Sequence, residues 1–174
     1  MLLAMVMFIG STLYLHDRHT PKEVEARIKR AFPGQSRVIF ENATQITIYS
    51  LDGDMRLDNA PHLSPTSAPG QFHGYPILGK VNVTGDEAKN VVNWIYGGFT
   101  KRRVINGMCF EPHHGLRAAT GSNTVDVVIC FGCTNMHIFS KGTESNSALS
   151  RSPEKYLNQL LTAAGVPFAP DYKP

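Results

Sequence analysis

The chain has 174 residues, of which 42% are hydrophobic and 18% charged, with 17 Lys plus Arg against 14 Asp plus Glu and a formal net charge of +3. This is the size and make-up of one ordinary globular domain with its own core, and it excludes a disordered or low-complexity chain. So small a positive balance gives no footing for nucleic-acid binding, and the 3 cysteines exclude a framework of paired disulfides, since at most one bridge can form.

Residues 1–15 stand apart. Residues 2–15 (LLAMVMFIGSTLYL) carry no charge. The run is shorter than the ~20 residues that a spanning helix needs, and it suits the apolar core of an export signal or a membrane anchor. No Lys or Arg precedes it, no clear small-x-small cleavage site follows it, and Arg18 and Lys22 come after it. That order suits an anchor whose C-terminal side is retained. The alternative is a buried element of the globular domain. The expected organisation is a signal or anchor over 1–15 and one domain over 16–174. The expected location is the cell envelope or the exterior, with the cytoplasm as alternative.

Thr20-Pro21-Lys22-Glu23 predicts a helix start: Thr caps, Pro fits the first turn and Glu23 completes a capping box. Val24, Ile28 and Ala31 follow at helical spacing, and Pro33-Gly34 ends the run. Residues 37–40 read as a short strand and 43–51 as a longer one, with Ile46 and Ile48 alternating against polar neighbours. The prolines at 61, 65 and 69 predict a long loop, and His62 and His73 are taken as exposed loop histidines. Residues 75–83 read as a strand. Gly85-Asp86-Glu87 opens a helix with Val91, Val92, Trp94, Ile95 and Phe99 as its apolar stripe and Trp94 as core anchor. Lys101-Arg102-Arg103 reads as a cationic helix end and solvated loop.

Residues 107–119 and 125–131 predict a β-hairpin around Thr120-Gly121-Ser122-Asn123-Thr124, with 127–131 a central strand buried on both faces. Residues 136–139 extend the ladder, and 141–150 read as a polar loop. Ser152-Pro153-Glu154 opens a last helix with Leu157, Leu160 and Leu161 inside, and Gly165 and Pro167 end it. The fold class is therefore α+β, an antiparallel or mixed sheet with about three helices packed on it.

The chemistry gathers within 25 residues: Cys109-Phe110-Glu111-Pro112-His113-His114-Gly115, then Cys130-Phe131-Gly132-Cys133. Zinc takes four tetrahedral S and N ligands, and C-x-x-C is a common half-site. Cys109, His114, Cys130 and Cys133 are the expected zinc ligands, with His137 a rival for the His. The geometry makes demands. Neighbouring strand residues point to opposite faces, so only one of His113 and His114 can share the face of a given Cys. Cys130 and Cys133 need a turn at Gly132 to bring both sulfurs to one side, and Cys109 needs a bend at Pro112. Thiol redox chemistry at the same pair is the second reading, although no helix start follows it to stabilise a thiolate. A third takes Cys109 as nucleophile, His114 as base and Glu111 or Asp126 as orienting acid. Plain core packing of three cysteines is the fourth. Zinc deaminase chemistry is rejected, because no Glu stands after the His in an H-x-E pattern and Ile129, not Pro, precedes Cys130.

The segments Cys109-Phe110-Glu111-Pro112-His113-His114-Gly115-Leu116 and Val125-Asp126-Val127-Val128-Ile129-Cys130-Phe131-Gly132-Cys133 resemble a group of uncharacterised bacterial exported or lipoprotein-like proteins with C-F-x-P-R-H-G-[IL] and D-L-V-I-C-F-E-C. The likeness runs over roughly residues 43–168 and includes Ile48 to Asp52, Phe72 to Lys80 and the tail from Ser152 to Pro167. The resemblance implies His114 as the motif histidine, since His113 stands where the group has Arg. Gly132 replaces an acidic residue, and no reaction carries over. The expected role is that of a small exported or anchored domain with a Cys/His cluster holding structural zinc, not clearly an enzyme. The alternative is an envelope thiol enzyme, redox or Cys-nucleophile, on the same residues. Nothing in the sequence names a substrate, a partner or an oligomeric state.

Overall fold

The computed structural model describes residues 18–54, 62–101 and 110–173. The expected signal or anchor over 1–15 and the site residue Cys109 lie outside these. Helix α1 (Pro21–Ala31) begins at the anticipated capping box: the Thr20 hydroxyl accepts from the Glu23 amide, and the Thr20 amide donates to Glu23 Oε2 at 2.7 Å. Its buried side is Ile28 and Ala31. Gly34, at φ 56°, reverses the chain directly into α2 (Gln35–Glu41). The sequence expectation of a strand over 37–40 is corrected here. Short apolar runs do not distinguish a strand from a buried helix. The i, i+3, i+4 placement of Ser36, Ile39 and Phe40 on the buried side settles it as helix, with Phe40 stacked on Phe32 at 4.6 Å.

Seven strands form one antiparallel, curled sheet: β1 (Gln45–Leu51), β2 (Gln71–Phe72), β3 (Tyr75–Thr84), β4 (His114–Thr120), β5 (Asn123–Cys130), β6 (Asn135–Ser140) and β7 (Thr143–Ala148), in the order β2-β3-β1-β4-β5-β6-β7. The β4–β5 hairpin turns at Gly121 and Ser122, with Thr120 opposite Asn123. Lys141 and Gly142 link β6 to β7, both at positive φ (46° and 77°), as a two-residue hairpin with right-handed strands prefers. The stretch expected as a polar loop thus contains β7. As the sheet edge it carries exposed polar side chains and no apolar alternation to betray it.

Helix α3 (Gly85–Gly97) buries Ala88, Val91, Val92 and Ile95, and α4 (Glu154–Ala163) buries Leu157 and Leu161. These pack with Ile46, Ile48, Leu116, Val125, Val127 and Ile129 into the main core. The four described helices and the antiparallel sheet make an α+β fold, as the sequence implies. Trp94 is not the core anchor expected of it. It is 45% exposed and lies against Tyr156 at 5.5 Å, because the buried stripe runs through 88, 91, 92 and 95 and leaves 94 on its flank. On the other face, Tyr49, Leu51, Phe72, Tyr75, Val128 and Phe139 form a smaller cluster, with Leu63 of the proline-rich segment packed on it.

Candidate functional site

Strand β5 ends at Cys130, and the chain turns through Phe131, Gly132, Cys133 and Thr134 before β6 begins. Thr134 takes a left-handed φ of 52°, and its amide reaches the Phe131 carbonyl at 3.3 Å. This turn supplies what the C-x-x-C spacing requires. It brings the two cysteines to a Cα separation of 5.5 Å, and they are joined as a disulfide. The Cys133 amide donates to Cys130 Sγ at 3.1 Å. Both residues are buried, yet both line a cavity of about 280 Å³ together with Glu111, His113, Arg151, Glu154, Asp171, Tyr172 and Lys173.

Register decides which histidine joins them. His114 sits opposite Ile129 across the β4–β5 ladder, so it shares the face of Ile129 and points to the helix layer, whereas Cys130 is one residue on. His113, not His114, therefore lines the cavity with the cysteines. His114 is fully buried, with its ring edge against Phe131 at 5.1 Å and Tyr172 at 5.4 Å.

A polar chain runs from His114 toward the cavity. His114 Nε2 donates to Asn158 Oδ1 at 2.7 Å, since an amide oxygen can only accept. The Asn158 amide donates to the Tyr172 hydroxyl at 2.9 Å, and that hydroxyl donates to Glu154 Oε1 at 2.9 Å. Arg151 closes the chain with a two-point ion pair to Glu154 at 2.7 and 3.0 Å. Burial pushes the His114 pKa down to about 4, against a smaller upward pull from its bond to Asn158. Burial likewise raises the Tyr172 hydroxyl above its ordinary range, with the Asn158 bond opposing and Glu154 adding to the rise. His114 is thus a neutral imidazole whose Nδ1 is buried and has no hydrogen-bond partner among the described residues. The Nδ1 of His113 is in the same condition.

Of the expected zinc ligands, the structure joins Cys130 to Cys133 and turns His114 toward Asn158. Among the described residues, no group of three or more His, Cys, Asp or Glu is arranged to hold a metal ion. The rival ligand His137 is engaged elsewhere, its Nδ1 2.8 Å from Glu144 Oε1. Asp126, considered as an orienting acid for a cysteine nucleophile, instead binds His73 and Arg117. His62 is exposed as expected, but His73 is buried, 3% exposed, because its ring is sandwiched into the second-face cluster. Sequence reasoning also missed Asn158 and Tyr172. The one available signal was a polar residue at 158 between the inward positions Leu157 and Leu161.

In comparisons with known proteins, no family model, no curated relative and no solved structure matches the chain. No helix among the described residues is long and apolar enough to cross a membrane.

Proposed function

We propose that the Cys130–Cys133 turn is a thiol–disulfide redox centre serving small thiols or exposed protein thiols that reach the adjacent cavity. The observation that carries this is a C-x-x-C disulfide whose two cysteines both border a cavity that several charged side chains also line. The bridge closes a loop with a sequence separation of 3. Such short loops gain the least stability from cross-linking, about 2 kcal/mol against nearly 5 for a 100-residue loop. A structural staple is therefore the weaker explanation. The Cys133 amide bonded to Cys130 Sγ supports Cys130 as the sulfur that carries the thiolate after reduction. In the same lining Lys173 and His113 offer donors, while Arg151 is paired with Glu154, and Glu111 and Asp171 set negative charge against the cations. In the step itself, a substrate thiolate attacks Cys133 Sγ, the S–S bond breaks, and Cys130 leaves as thiolate. A second substrate thiol then displaces Cys133, so the protein gains two electrons and two protons while two thiols become one disulfide. An exported location behind residues 1–15 suits this chemistry, because disulfides persist in oxidising compartments.

Trapping tests the assignment. Incubated with glutathione disulfide, the reduced Cys130→Ser and Cys133→Ser variants should each form one mixed disulfide at the remaining cysteine of the pair, found by peptide mass. Cys130 should react the faster near neutral pH. Metal analysis of the reduced wild type provides the competing outcome. One zinc per chain, lost in Cys133→Ser, would support instead the zinc site on Cys109, His114, Cys130 and Cys133.

A further inference from the structure

The second face of the sheet carries a device that the cysteine site does not use. His73 Nδ1 lies 2.9 Å from the Ser64 carbonyl oxygen, and its Nε2 lies 2.9 Å from Asp126 Oδ2. The ring is stacked on Phe139 at 4.0 Å with an interplanar angle of 11°, and Phe72 meets it edge-on at 4.9 Å. A carbonyl oxygen only accepts, and so does a carboxylate. A neutral imidazole has one N–H for these two acceptors, and an imidazolium has two.

We infer that His73 is a pH-sensitive clasp, which in its doubly protonated form straps the proline-rich segment 62–72 onto the sheet at Asp126. The segment is built around that ring. The Ser64 amide donates to the His73 carbonyl at 2.9 Å, and the His73 amide donates to Ser67 Oγ at 3.0 Å. His73 is held at φ 51°, a left-handed conformation that non-glycine residues rarely adopt, so its surroundings fix it there. A cavity of about 280 Å³ opens beside it, with Pro65 of the strapped segment as one wall.

The charged neighbours come from several strands. Arg117 on β4 grips Asp126 through two bonds of 2.7 and 2.6 Å. Lys141 of the β6–β7 turn and Glu144 of β7 line the cavity, Glu144 being bonded to His137 of β6. Tyr49 of β1 completes the electrostatic surroundings of Asp126 and Arg117. Burial pushes the Asp126 carboxyl up, but the bonds from Arg117 and His73 outweigh it and hold the group below its ordinary value of 3.8. The acceptor thus stays ionised through mildly acidic pH. Raising the pH removes one ring proton and leaves a lone pair facing either the carbonyl or the carboxylate, which loosens the strap. Strong acid loosens it from the other side by protonating Asp126.

Amide hydrogen exchange tests this, with rates normalised to their intrinsic values and compared at about pH 5.5 and about pH 8.5. The Ser64 and His73 amides should be about tenfold less protected at the higher pH, one hydrogen bond's worth. Amides of β1 and β4 should not change. His73→Asn tolerates the left-handed φ and should make the segment exchange fast at both pH values. The wild type alone gives a second readout: nitrogen NMR of the His73 ring at about pH 5.5 should show both nitrogens protonated. Equal protection at the two pH values, a pH dependence that survives in His73→Asn, or a single protonated ring nitrogen would each overturn the clasp.

Discussion

At His114 burial and hydrogen bonding oppose each other, and burial wins. A pKa moved from 6.5 to about 4 means that the unfolded chain takes up a proton that the folded one refuses. Stability from this residue is complete above about pH 6.5 and declines through the interval down to pH 4, below which the loss is full. The size is about 3 kcal/mol. Urea midpoints at pH 7 and pH 4.5 should therefore differ less in His114→Gln than in the wild type, and an unchanged difference would count against a neutral buried ring. Next to it, Gly115 passes close under Phe72: a Cβ built there would stand 2.6 Å from Phe72 Cδ1. Gly115→Ala should cost about 1–3 kcal/mol of unfolding free energy by overpacking. At this scale the sequence is a partial guide. C-x-x-C spacing is enough to single out Cys130 and Cys133. His73 and Asn158 escape, because their partners Asp126 and His114 lie 53 and 44 residues away and no local pattern encodes the pairing.

Elements follow local chemistry where that chemistry is strong. The Thr20 capping box, the hairpin turn at Gly121 and Ser122, and the stop at Gly165 (φ 68°) are all readable from residue types. Thr20→Ala should lower stability by about 1 kcal/mol, measured as a shift in the urea midpoint with an unchanged slope. Three elements were illegible for physical reasons, and of these β2 is only two residues long and shows no pattern at all. Helix α2 is seven residues long, too short for its apolar residues to display a helical period. Strand β7 is an edge whose side chains are polar on both sides, held by main-chain bonds to β6 and by the Ser145 hydroxyl on the Ala31 carbonyl at 2.6 Å. The hairpin register matters most for function. Because the turn has two residues, His114 faces Ile129 and not the cysteine turn, which sends His114 to the helix layer and leaves His113 in the cavity.

For the whole molecule, the helix-covered face holds the main core, and the cysteine turn sits at the end of the central strands where the tail from α4 folds over it. This arrangement predicts that the fold survives without the bridge. A Cys130→Ser, Cys133→Ser double variant should unfold cooperatively with a loss of about 2 kcal/mol or less. The most direct measurement is equilibration of the native protein in glutathione buffers of graded potential, followed by acid quench, alkylation and mass analysis. A reversible two-electron couple at Cys130 and Cys133 is expected, with a midpoint more oxidising than about −300 mV, the value below which structural disulfides fall. A pair that is reduced only once the protein is unfolded, or that never forms the bridge in oxidising buffer, would contradict it.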